Sequence, residues 1–176
     1  MPHIHTGPGQ HDLTASAYIL RLGDVEPAIV LHRHKRLARY LQFGGHVELG
    51  ETPWQAIRHE VLEESGYALD QLRVLQPPTR ITALSHGVLH PVPVCYNTHR
   101  IGDAHFHTDT AWAFVTAEAP AHPIAEGESR DIRLFTRAEL LDASSKDIDD
   151  SARDVGRFVL DVCLESFDRS PTDDWR

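Results

Sequence analysis

The sequence predicts an α/β fold (α+β), a sheet with a few helices, and three observations carry that expectation. Short β-compatible apolar runs recur between glycine and proline turn signals. An amphipathic helix follows a glycine-rich segment near position 44, and a second closes the chain. The 176 residues are 41% hydrophobic and 24% charged, which provides for a core and excludes a broadly disordered chain.

Residues 1–12, with Gly7, Pro8 and Gly9, read as a mobile lead-in to one domain over 13–168. Leu13 to Leu22 is β-compatible and ends at Gly23-Asp24, and Ala28 to Leu31 is a short apolar run paired with it. His32 to Arg39 gathers His32, Arg33, His34, Lys35, Arg36 and Arg39, either a solvated loop or a collar for an anionic substrate. Residues 44–51 form a glycine-rich loop. Thr52 as cap and Pro53 at the first position start a helix that Gly66 stops, with Trp54, Ile57 and Val61 as its buried stripe.

Strand-like stretches follow at Leu72 to Leu75, Thr79 to Leu84, Val92 to His99 and Phe106 to Val115, in a largely antiparallel part of the sheet. Ala119 to Gly127 is a loop, Ile132 to Phe135 a strand and Arg137 to Leu141 a short helix. Val155, Phe158, Val159, Val162 and Leu164 make Ser151 to Phe167 the closing amphipathic helix, and 169–176 reads as a loose polar tail.

Composition narrows the function. The chain carries 26 acidic and 17 basic residues, a net charge of −9, which argues against a nucleic-acid partner needing a cationic footprint. No apolar run is long enough to span a membrane, and the N-terminus lacks a basic-then-apolar signal pattern, so a cytoplasmic location is expected. Cys95 and Cys163 make neither a disulfide framework nor a thiolate metal cluster. No sequence feature fixes the oligomeric state; a homodimer is one expectation.

The informative segment runs from Gly45 to Tyr67. Glu60, Glu63 and Glu64 stand at i, i+3 and i+4, so their carboxylates leave one side of the helix, about 60° and 40° apart around it. Like charges so placed repel by roughly a few tenths of a kcal/mol per pair. Solvation relieves that repulsion, and so does a hard divalent cation such as Mg²⁺, which prefers oxygen ligands.

With Gly45, five residues, Glu51, seven residues, then His59, Glu60, Val61, Leu62, Glu63, Glu64, Ser65, Gly66 and Tyr67, the segment resembles the Nudix box. It departs from that pattern at His59, where the family has arginine; Gly44 and Glu48 also fit, while Phe43 replaces a frequent proline. The resemblance implies an α/β/α sandwich with a mixed β-sheet, and Mg²⁺-dependent hydrolysis (Mn²⁺ in its stead) of a small-molecule nucleoside diphosphate derivative. It further implies Glu60 and Glu64 as principal metal ligands, Glu63 beside them, and the Gly44 carbonyl as a further ligand. Glu51 would support the loop or assist water activation, and His59, about 40° from Glu63 around the helix, would stand in for the arginine beside it. Histidine lacks arginine's bidentate fork and titrates near neutrality, which leaves a nucleotide-binding sensor as the rival. Diphosphate isomerisation is disfavoured by the want of a cysteine near the box.

An extra carboxylate is expected from Glu126 or Glu128, with Glu128 the better placed as metal ligand or base. His105, His107 and Asp109 alternate along one strand and would share a face, a composition suited to a transition metal, to an exposed polar strand face or to part of a substrate cleft.

Overall fold

Alternation of apolar side chains on both sides of one long strand sets the architecture. The computed structural model describes residues 6–23, 25–102 and 105–175. Of the sequence expectations, the first five residues of the lead-in, Asp24, Asp103 and the last residue of the tail, Arg176, lie outside these.

β1 (His11–Arg21) is the organising strand. It runs parallel to β7 (His105–Thr116) from His11↔Phe106 to Arg21↔Thr116. Its other edge is shared: Ile19 to Arg21 pair antiparallel with β2 (Ala28–Arg33), and Thr14 to Ala17 pair antiparallel with β4 (Phe43–His46). β2 also carries β3 (Tyr40–Leu41) and β8 (Ile132–Thr136), both antiparallel. β7's outer edge is divided in the same way between β5 (Arg73–Gln76) and β6 (Cys95–Ile101). The sheet is therefore mixed.

Ala15, Ala17 and Ile19 of β1 pack with Trp112 and Phe114 against Trp54, Ile57 and Val61 of α1 (Pro53–Ser65). Tyr18 and Leu20 face the other way, with Ile29, Leu31, Ala113 and Val115, against Leu140 of α2 (Arg137–Asp142) and Ala152 of α3 (Asp150–Phe158). α3 runs on through a π-helical turn (Val159–Cys163) into α4 (Leu164–Ser166). The result is a sheet between helical layers, the fold class expected. Among the described residues no helix is long and apolar enough to cross a membrane.

Four local expectations are corrected. The lead-in ends sooner, because His11 and Asp12 already pair with Phe106 and His107. The glycine-rich loop begins as strand β4, since glycines alone let its backbone approach β1 closely: at Gly44, φ is 140° and a Cβ would overlap the Ala15 carbonyl. Thr79 to Leu84 forms no strand; Ile81 and Leu84 are 65% and 49% exposed and have no face to bury. The tail is not loose. β9 (Asp168–Pro171) pairs with β5, and Trp175 is buried with its carbonyl accepting a 3.2 Å hydrogen bond from Trp54 Nε1.

Candidate active site

The helix that carries the acidic residues is fixed at both ends. Thr52 accepts from the Gln55 backbone N–H while its own N–H donates to the Gln55 side chain, a reciprocal cap. Gly66 closes the helix in the left-handed region, its N–H donating to the Leu62 carbonyl. The apolar stripe of α1 presses on the sheet, and that packing draws one edge of the acidic face beneath β4.

Glu60 and Glu64 lie on that edge and are 4% and 8% exposed. Glu64 Oε2 accepts a 2.8 Å hydrogen bond from the Gly44 N–H. A Cβ on Gly45 would overlap the Glu60 carboxylate, so the glycine pair is the roof of the site. Among the described residues, Glu60 Oε1 is buried without a hydrogen-bond partner. Burial pushes the Glu60 carboxyl up to about 7, His59 opposing and the charges of Glu63, Glu128 and Glu51 assisting. It pushes Glu64 up to about 8, the Gly44 hydrogen bond opposing and Glu60, Glu128 and Glu63 assisting. Two buried carboxylates, one with an orphaned oxygen under a backbone roof, fit an oxygen-preferring divalent cation.

The remaining expected residues separate. Glu63 stands on the exposed edge of the helix, close enough for its charge to act on both buried acids. Glu128 is half-buried and acts on both as well, whereas Glu126 is exposed and is not among the charges acting on them. His59 does not pair with Glu63: its Nε2 lies 3.3 and 3.2 Å from the two oxygens of Glu51. Glu51 Oε1 in turn accepts from the Glu48 N–H, which holds the loop against the helix. The residue in the arginine position thus keeps an acidic partner.

One residue of the site escaped sequence reasoning. His32, expected in a cationic loop, is a buried residue of β2, packed on Phe43, with Nε2 3.9 Å from Glu64 Oε2. Burial, with His34 assisting, lowers its pKa to about 4, so it is neutral beside the acids. The only signal in the sequence was the apolar run before it, extended by one more inward position. Of the collar, Lys35 donates to the Gly127 carbonyl, next to Glu128.

A capped acidic helix under a glycine strand, on a mixed sheet between helical layers, defines a Nudix domain. The model of the NUDIX domain matches residues 11–155, and the chain belongs to the Nudix family and is a Nudix hydrolase. A NUDIX-family hydrolase from Clostridium perfringens superposes with a TM-score of 0.70 at 24% identity, covering 86% of this chain and 97% of that one. The Ap4A hydrolase of C. elegans gives 0.57 at 17%, covering 84% and 92%. A Nudix hydrolase from M. smegmatis, RenU, gives 0.59 at 17%, covering 91% and 95%. No curated protein matches the chain.

Proposed function

We propose that the chain hydrolyses the pyrophosphate linkage of a nucleoside diphosphate derivative, a small molecule, using Mg²⁺ or Mn²⁺ in the cytoplasm. The observation that carries this reading is the buried Glu60–Glu64 pair beneath Gly44 and Gly45, with Glu60 Oε1 left without a donor among the described residues. Glu60, Glu64 and the Gly44 carbonyl would hold the cation, with Glu63 at the rim. When bound, the cation neutralises the diphosphate oxygens and makes water a nucleophile near neutral pH.

The chain's own residues do the rest. Ionised Glu60 and Glu64 supply the charge that an anionic substrate requires a cation to bridge. Glu51, held by His59 and the Glu48 N–H, fixes the loop between roof and helix. Glu128 brings a third-element carboxylate as ligand or base, and Lys35 braces the loop that carries it. The net charge of −9 speaks against a polymeric nucleic acid as substrate. Two solved neighbours, an Ap4A hydrolase and a UDP-X diphosphatase, bear names compatible with this substrate class.

A panel of nucleoside diphosphate derivatives assayed for monophosphate release with Mg²⁺ or Mn²⁺ tests the reading. The expected result is release from at least one member, lowered about 10²-fold or more in Glu64→Gln at unchanged fold. No release from any member, or full release by Glu64→Gln, overturns it.

A further inference from the structure

On the sheet face away from α1, a second set of ligating side chains converges from three strands. β1 and β7 lie in parallel register with Asp12 beside His107, and β6 sets His99 beside His107 on its other side. His105 Nε2 lies 3.4 Å from Asp12 Oδ2, and His46 Nε2 lies 3.8 Å from the same oxygen. The imidazole of His107 sits 5.4 Å from that of His105 and 4.8 Å from that of His46, centroid to centroid. One ligand atom each from Asp12, His105 and His107 lie within 4.8 Å of one another. Asp12 and His105 are both 8% exposed, and the Thr6 hydroxyl donates to Asp12 Oδ2 at 2.8 Å, fixing the carboxylate.

The spacing suits a small cation. Bonds of about 2.0–2.1 Å place tetrahedral ligands about 3.4 Å apart, the separation seen between Asp12 and His105. A simple ion pair would need one imidazole at this carboxylate; three are gathered here.

The expected strand triad is thereby revised. Asp109 is occupied by the hydroxyls of Thr14 and Ser16, which donate to it at 2.8 and 2.9 Å, and Asp12 from the neighbouring strand takes its place. The cluster is also separate from the acidic helix. β4 alternates between the two: Gly45 faces Glu60, and the next residue, His46, turns to Asp12.

We propose that Asp12, His105 and His107, with His46 as a fourth ligand, form a second metal site that selects a borderline transition-metal cation such as Zn²⁺ over Mg²⁺. Two or three imidazoles and one carboxylate are donors that Zn²⁺ and Co²⁺ favour and Mg²⁺ does not.

Chelator-treated protein titrated with Co²⁺ and Zn²⁺, followed by visible absorption and calorimetry, tests the site without any substrate. One equivalent is expected to bind in the presence of about 100-fold excess Mg²⁺. His105→Ala/His107→Ala should weaken that binding at least about tenfold, and Glu60→Gln/Glu64→Gln should leave it intact. Asp12→Asn, nearly isosteric, should weaken it as well, and a melting curve in chelator identifies any variant that has lost its fold. Binding that persists in Asp12→Asn and in the histidine variant, or that disappears in Glu60→Gln/Glu64→Gln, overturns the assignment, as does a parent chain that takes up no Co²⁺.

Discussion

Glu60 and Glu64 must be ionised to hold a cation, yet burial favours their protonated forms. Their folded pKa values, about 7 and about 8, stand above the ordinary 4.5. The stability they contribute is full below that ordinary value and is lost as pH rises through about 7 and then about 8. Melting in chelator should therefore show the protein less stable at pH 9, above both values, than at pH 5, close to the ordinary value. Saturating Mg²⁺ should offset part of that loss, by about 2.7 kcal/mol at about 100 times its Kd. A metal-free melting temperature flat across that range would contradict the burial argument.

His59→Arg gives a second residue-scale test. The partner is Glu51, so arginine gains a bidentate, permanently charged contact. Turnover at pH 7 and above should be preserved or raised, and a pH–rate comparison with the parent checks it; a large loss would mean that the loop requires an imidazole.

Much of the site was legible at this scale, and the rest was not for identifiable reasons. The spacing of Glu60, Glu63 and Glu64 declared a shared side of the helix. Which edge of that side is buried depends on how α1 seats on the sheet, so Glu63 could not be separated from the other two. His59 reached Glu51 rather than Glu63 because the loop folds back over the helix. Asp12 could not be linked to His107, since only strand register joins residues so far apart in sequence.

At the scale of elements, the reciprocal cap on α1 matters because the helix carries the acids. Thr52→Ala should cost about 1 kcal/mol and lower the melting temperature by about 2–4 °C. An unchanged melt would show the cap to be replaceable by solvent. Helix signals were readable where chemistry is local: Thr52-Pro53 and Gly66 bound α1 as expected. Strand signals were weaker. Thr79 to Leu84 reads as strand-like but pairs with no strand among the described residues, whereas the polar stretch 168–171 becomes β9 because β5 offers it an open edge. Val92 was expected within a strand, yet its N–H and carbonyl pair with the side-chain amide of Gln76 instead, and the ladder begins at Cys95. The C-terminal strand yields a further prediction. Removing residues from 168 onward uncovers β5 and the Trp54 side chain, and should lower the melting temperature well beyond the effect of the cap variant.

For the whole molecule, the α/β/α arrangement follows from β1 and β7 being apolar on both faces over their C-terminal halves. Each face can then be covered by helix, and the strands' N-terminal halves remain polar on the side away from α1. That division puts the acidic site on one side of the sheet and the histidine cluster on the other.

The parallel pairing of β1 with β7 also has a consequence during synthesis. Thr14 and its cross-strand partner Asp109 are 95 positions apart. At about 5–20 residues per second, a ribosome delivers the first strand on the order of 5–20 s before the second. Through that interval β1 pairs only with β2 and β4 along one edge, and its other edge is an open template for a foreign strand. Nascent chains arrested after residue 102 should therefore crosslink to chaperones through β1, and chains long enough to expose residues 105–116 beyond the exit tunnel should be released.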